Sequence, residues 1–244
     1  MTRYIILIQD VTESERLEQT RRDYVANVSH ELKTPIASIR SLAETLSDGM
    51  VKNDNDKVRY YEYILRESMR LSRLIDDLLE LSRLQSGSIA LTKQSFYLEG
   101  MIESVSERMK LIADDSEIRL EYEESVLPSA YSNPDRIEQA LVSLTDNAIK
   151  YSDDGGMIRI HAIEKPEHII VEVRNTGHVN ESDLPHLFER FYKADKSHTG
   201  LGTGLGLAIT KEVLELLGES ISVKNDAGEV VFAFTVHKEP ALQK

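Results

Sequence analysis

Apolar residues near the front of the chain recur in steps of three, four and seven. They are Leu17, Tyr24, Val28, Leu32, Ile36, Ile39, Leu42 or Ala43, and Leu46. Such spacing draws one continuous stripe along a helix. It predicts a single long helix to about Ser47, with Thr12 as N-cap and Glu15 completing a capping box. Pro35 falls inside the pattern and is expected to kink the helix, freeing a carbonyl. Asp48-Gly49 and polar residues 52–56 make a turn. A second stripe then runs through Ile64, Leu71, Leu74, Leu78 and Leu81, flanked by Leu65, Ile75 and Leu79. It predicts a helix from about Asp56 to Leu84 and hence an antiparallel hairpin. One hairpin cannot cover both stripes. Pairing with a second copy into a four-helix bundle is the expected solution, and a monomeric hairpin covered by the following domain is the alternative.

Gln85-Ser86-Gly87-Ser88 ends that pattern. Strands are expected at 89–92 and 118–123, with a helix at 98–112 between them. Asn133 followed by Pro134 is a strong helix start, cap then first helical position, and the helix should reach Tyr151. Alternating strands follow at 157–164 and 168–174, then short helices at 184–192 and 204–217. Strands at 221–224 and 230–236 close a hairpin around Asn225-Asp226-Ala227-Gly228. Helices on one face of a mostly antiparallel sheet read as an α+β sandwich. Three divisions follow: 1–10, a β-rich piece too short to bury a face alone; 11–86, the helical hairpin; and 87–244, the sandwich.

Composition narrows the chemistry. The chain has 244 residues and a formal net charge of −13, which argues against broad contact with a nucleic-acid backbone. It has no cysteine, so disulfides, thiolate zinc sites and cysteine nucleophiles are excluded. No apolar run approaches the ~20 residues needed to cross a bilayer, and the run at 4–8 is too short for a signal peptide. A cytoplasmic location without direct membrane contact is expected, although the chain could be cut from a membrane protein.

Two stretches carry candidate chemistry. In Ser29-His30-Glu31-Leu32-Lys33-Thr34-Pro35, His30 lies about 200° around the helix from the apolar stripe and should face solvent. Its imidazole can act as a nucleophile, Glu31 can take its ring proton, and Thr34 shares its face at i+4. Far downstream, Gly200-Leu201-Gly202-Thr203-Gly204-Leu205-Gly206-Leu207 runs into a helix, the arrangement that offers backbone N–H groups to phosphate. The loop lacks the Lys-Ser/Thr ending of a P-loop. On the 133–151 helix, Ile137, Leu141, Leu144 and Ala148 form the buried stripe. Ser143, Asn147, Lys150 and Tyr151 share another face, where an amide oxygen suits magnesium and a lysine suits phosphate.

Taken together, these segments resemble the cytoplasmic catalytic portion of a two-component sensor histidine kinase, over residues 11–240. The His30 segment resembles the H box and Asp146-Asn147-Ala148-Ile149-Lys150-Tyr151 the N box. Asn175-Thr176-Gly177 stands where the first glycine box belongs. Leu187-Phe188-Glu189-Arg190-Phe191-Tyr192 resembles the F box, and residues 200–207 the second glycine box. The resemblance implies a dimerisation and histidine-phosphotransfer hairpin followed by an ATP-binding sandwich of the gyrase and chaperone type. It implies Mg–ATP held by Asn147 (on the metal), Lys150, Tyr151, Asn175 (on adenine), Gly177, Gly200, Gly202, Thr203, Gly204, Leu205 and Gly206, with Arg190 and Lys193 as further phosphate or ribose contacts. It implies His30 as phosphoacceptor, Glu31 as base, Thr34 as phosphatase residue, a homodimer, and a response-regulator receiver domain as partner. Residues 5–12 resemble the last strand of a PAS sensor domain. The chain departs from the family at Ser143, usually Asn, at Asn175, usually Asp, and at His178-Val179, where a glycine is missing. A weakened kinase acting as scaffold or phosphatase is the alternative reading. Asn175→Asp is expected to tighten ATP binding unless the Asn175 NH₂ is committed to a backbone carbonyl.

Overall fold

The computed structural model describes residues 10–87, 91–194 and 202–239. It divides into two compact units, Met1–Ile75 and Asp76–Lys244. Of the expected PAS-like strand at 5–12, residues 5–9 fall outside the described residues; Asp10 and Val11 form no strand, and Thr12 begins the first helix.

Two long helices make the first unit and lead into the second. Helix α1 spans Thr12–Ser47 and α2 spans Asp54–Gln85, joined by a short polar turn. Thr12 is the first helical residue rather than the cap. Its N–H is met by the Asp10 carboxylate at 2.9 Å, because the carboxylate lies two residues before the helix, where orphan N–H groups point. α1 remains one element across Pro35, which is buried. The antiparallel pairing is marked by Arg70 on α2, which donates to Glu31 on α1 at 3.4 Å. Along α2 the foreseen stripe turns inward: Leu74, Leu81 and Leu84 are buried, Ile64, Leu71 and Leu78 half-buried, and flanking Leu65, Ile75 and Leu79 exposed.

The second unit is a helix layer on a five-stranded sheet. Its strands are β2 Arg119–Tyr122, β4 Met157–Glu164, β5 His168–Thr176, β6 Ile221–Asp226 and β7 Glu229–His237, in the order β2-β4-β5-β7-β6. Only β2 and β4 run parallel. A small two-stranded sheet joins β1 Gln94–Phe96 to β3 Ala130–Ser132. The expected strand at 89–92 is not at 91–92; pairing begins at Gln94, opposite Ser132, in a strand the alternation rule could not separate from loop. Helices α3 Leu98–Asp115, α4 Pro134–Tyr151 and α5 Gly206–Leu216 form the covering layer.

The core follows from the two periods. Ile158, Ile160 and Ala162 of β4, Ile169, Val171 and Val173 of β5, and Val230, Phe232, Phe234 and Val236 of β7 point to one buried face. Against it α4 lays Ile137, Leu141, Leu144 and Ala148, and α3 lays Ile102, Val105 and Met109. Asn133 caps α4 as expected, its side chain accepting from the Arg136 N–H at 3.1 Å. The helix expected at 184–192 is only a 3₁₀ turn, Leu184–His186, followed by turns. The hydroxyl of Tyr192 donates to Asp183 at 2.7 Å and closes that segment into a loop, holding the Asp183 carboxyl below the usual carboxylate range.

Candidate functional site

In the first unit, His30 stands exposed on α1, as the stripe geometry requires. Glu31, its neighbour, is half-buried against Arg70, which also reaches Glu67 at 3.8 Å. The Thr34 hydroxyl donates to the His30 carbonyl at 3.1 Å, which leaves its oxygen lone pairs free to hold a water. Both side chains at i+1 and i+4 are therefore positioned, one by a cross-helix ion pair and one by its own backbone.

In the second unit the site is built on the ends of α4 and β5 and the start of α5. Asn175 ends the file of core-facing residues on β5 and pairs in register with Ile158 on one side and Val230 on the other. It is 1% exposed. Its Nδ2 donates to the Thr176 carbonyl at 3.2 Å, while its Oδ1 is buried without a hydrogen-bond partner. An orphaned acceptor in an apolar setting costs roughly 1–3 kcal/mol, so it awaits a donor. Gly177 follows at φ 141°, a conformation other residues avoid, and a Cβ there would come 3.4 Å from the Tyr151 carbonyl. Asn225, which the sequence patterning had not singled out, clamps this loop. It accepts from the Val179 N–H at 3.1 Å and donates to the Val179 carbonyl at 2.7 Å.

On α4, Asn147 is half-buried, and Lys150 forms an ion pair with Asp146 one turn back. Ser143 lies beside Thr210 of α5, oxygen to oxygen at 2.9 Å. Tyr151 is exposed at the helix end, and its hydroxyl lies 3.6 Å from where a Cβ on Gly202 would stand. The glycine loop thus meets α4, at both Tyr151 and Ser143, since Gly206 sits 3.7 Å from the Ser143 hydroxyl by the same measure.

The glycines differ in what they do. A Cβ on Gly204 would stand 2.8 Å from the Phe191 Cα, and the Phe191 N–H donates to the Gly204 carbonyl at 2.7 Å. Gly204 therefore serves contact with the preceding loop. Leu205 is fully buried, so any part it has in binding goes through its backbone. Thr203 donates to Asp77 on α2 at 2.7 Å and accepts from the Leu205 N–H at 3.3 Å. Arg190 is turned to Glu212 at 3.3 Å, and with the Gln85 amide oxygen facing it, to Gln85 at 2.5 and 2.8 Å. Those partners belong to α5 and α2, away from Asn147 and Asn175 in sequence and element. Lys193 is half-buried, and Gly200 lies outside the described residues. Tyr151 thus lies near both Gly202 and Gly177, Gly177 lies beside Asn175, and Gly206 lies beside Ser143. Asn147 and Lys150 share α4 with Tyr151 and Ser143, while His30, Glu31 and Thr34 belong to the other unit.

Two family models match the chain. Residues 20–87 match the His Kinase A (phospho-acceptor) domain, and residues 132–240 the histidine kinase-, DNA gyrase B-, and HSP90-like ATPase domain. The chain belongs to the sensor histidine kinases. It is 32% identical over 228 residues to the sensor protein SrrB of Staphylococcus aureus, covering 92% of this chain and 39% of SrrB. Among solved structures, histidine kinase ThkA in complex with the response regulator TrrA aligns with TM-score 0.74 and 25% identity, over 96% of this chain and 69% of that one. Full-length ShkA in complex with AMPPNP aligns with TM-score 0.65 and 25% identity, over 90% of this chain and 47% of that one. As a sensor histidine kinase, this chain carries the helical-hairpin and α/β-sandwich modules of a protein-histidine kinase. It spans about two fifths of the length of its curated relative. No described helix is long and apolar enough to cross a membrane.

Proposed function

We propose that this chain catalyses transfer of the γ-phosphoryl group of ATP to His30, and then from His30 to an aspartate of a response-regulator receiver domain. The observation that carries the reading is the orphaned, buried Oδ1 of Asn175, an acceptor suited to the amino group of adenine. The glycine-bearing turn of Gly202 and Gly206 offers backbone N–H groups at the start of α5 to phosphates, beside Tyr151. Magnesium suits the Asn147 amide oxygen. The described residues hold no cluster of three His, Cys, Asp or Glu side chains able to bind a metal alone, so the nucleotide's phosphates would supply the other ligands. Bound there, the ion neutralises charge on the phosphates.

The reaction follows from what this chain's residues can do. One ring nitrogen of His30 forms a bond to the γ-phosphorus as the bond to the bridging oxygen breaks, and ADP leaves. Glu31 accepts the proton of the other ring nitrogen. In the second step the nitrogen–phosphorus bond breaks as a carboxylate oxygen of the regulator takes the phosphoryl group. Positioning and charge stabilisation supply most of the rate. Thr34, with free lone pairs on its hydroxyl, is assigned to holding the water that hydrolyses the regulator's phosphoaspartate.

Labelling with γ-radiolabelled ATP tests the reading. Acid-labile, alkali-stable label on the wild type, and none on His30→Gln with ATP binding retained, is the expected result. A scaffold would take no label, and a simple ATPase would release phosphate without needing His30. Thr34→Ala should keep autophosphorylation near normal and cut regulator dephosphorylation roughly 10²-fold or more, as loss of a water-positioning group does. Equal losses in both would point to a helix defect beside Pro35 and remove the phosphatase role.

A further inference from the structure

The start of α5 needs a fixed direction if its N–H groups are to meet phosphate, and a hollow lies behind it. A cavity of about 320 Å³ separates Asp77 and Glu80 of α2 from Ser143, Gly206, Ile209 and Thr210. Close packing therefore does not hold Gly206 from that side. Hydrogen bonds hold the turn just before Gly206 instead. The Leu205 N–H donates to the Thr203 hydroxyl oxygen at 3.3 Å, and that hydroxyl donates to Asp77 Oδ2 at 2.7 Å. On the other flank, Phe191 donates to the Gly204 carbonyl at 2.7 Å. Residues 202–205 are thus suspended between two anchors.

The Asp77 anchor is itself rigid. Glu80, three residues on along α2, accepts from Arg136 at 2.6 Å and from Gln139 at 2.8 and 3.0 Å, both on α4. Leu81, one turn beyond Asp77, is fully buried and Leu84 almost so. An acceptor carried on a helix bolted this way cannot follow a wandering loop, so it restricts the loop. Its carboxylate also makes a charge-assisted bond, the stronger class.

We propose that Asp77 is a positioning residue for the nucleotide's phosphates: through Thr203 it fixes the turn that aims the first N–H groups of α5. The idea rests on the ATP reading above. Its consequence is specific to the phosphate end of the ligand. Adenine is held at Asn175, which shares no hydrogen bond with Asp77 or Thr203, so loss of the anchor should leave nucleoside binding alone. By linkage, a bound triphosphate stabilises the last turns of α2, while adenosine does not.

Calorimetric titration of ATP and of adenosine into the whole chain tests this. Asp77→Ala and Thr203→Val should each weaken ATP about five- to ten-fold, the worth of one charge-assisted bond, with adenosine affinity unchanged. The double variant should lose no more than either single one, because both remove the same bond. Asp77→Asn, which keeps an acceptor oxygen, should recover most of what alanine loses. Parallel losses for ATP and adenosine would mean general damage to the fold and overturn the proposal, as would ATP affinity untouched by both single variants. A wild-type chain that binds adenosine but not ATP sinks the kinase reading and this one together.

Discussion

At the scale of a residue, Asn175 shows how the exchange of one atom, nitrogen for oxygen, separates two side chains of the same shape. The resemblance puts it where an Asp is expected, and a charged acceptor alone would bind the adenine amino group more strongly. The structure supplies the condition under which that gain has a cost: its Nδ2 donates to the Thr176 carbonyl at 3.2 Å. In Asn175→Asp an oxygen faces that carbonyl, inside a site flanked by Ile158 and Val230. The nucleotide-free variant should lose about 1–2 kcal/mol of stability, lowering its melting temperature by roughly 2–6 °C. ATP should restore more of the melting temperature in the variant than in the wild type, since its amino group meets the new charge. Equal melting of the two free proteins would mean that the amide is not held by Thr176, and the original expectation of simple tightening would stand. The sequence posed this alternative and could not decide it. Residue type marks Asn175 as a polar end to an apolar strand, but only pairing tells which of its two polar atoms is already used.

Among elements, the glycine-rich stretch was legible as a motif and not as a division of labour. Alternating glycines before a helix predict exposed N–H groups, and Gly202 and Gly206 fit that, lying open beside Tyr151 and Ser143. Gly204 carries a different demand: its φ is 73°, and a side chain would strike the backbone of Phe191. The F-box segment was expected to be a short helix. It is instead a loop, with Phe191 itself at φ 65° and Phe188 set edge-on to Phe232 of β7. Long-range contact overrode local periodicity there, which a pattern within one segment cannot register. The two glycines therefore separate in their variants. Gly204→Ala should cost about 2–4 kcal/mol of stability from steric strain at a positive φ. Gly202→Ala should melt like the wild type yet bind ATP more weakly, by a few-fold. If thermal melts find Gly202→Ala as damaging as Gly204→Ala, the assignment of Gly202 to the ligand and Gly204 to packing fails.

For the whole molecule, helices were the most legible because their stripes are long. α1 and α4 end where the pattern ends, and α2 departs by only two residues at its start and one at its end. Short strands paired far along the chain, such as β3, left no comparable mark. The same helices make a statement about assembly. Val58, Tyr61, Leu65 and Met69 follow one another along α2 at steps of three and four, and each is more than half exposed; Ile36 on α1 is too. We propose that a second copy, which offers the same row, covers it, as a four-helix bundle requires. Leu65→Glu puts a charge in the middle of that row. It should raise the dimer dissociation constant by about 30-fold or more, the usual cost at a buried interface centre. Leu111→Glu, on α3 and 72% exposed, is the matched control and should leave association unchanged. Sedimentation equilibrium over a concentration series reads both. A Leu65→Glu chain that associates as tightly as the wild type would mean that this row faces solvent in the working protein, and the hairpin would then have to function without a second copy across α2.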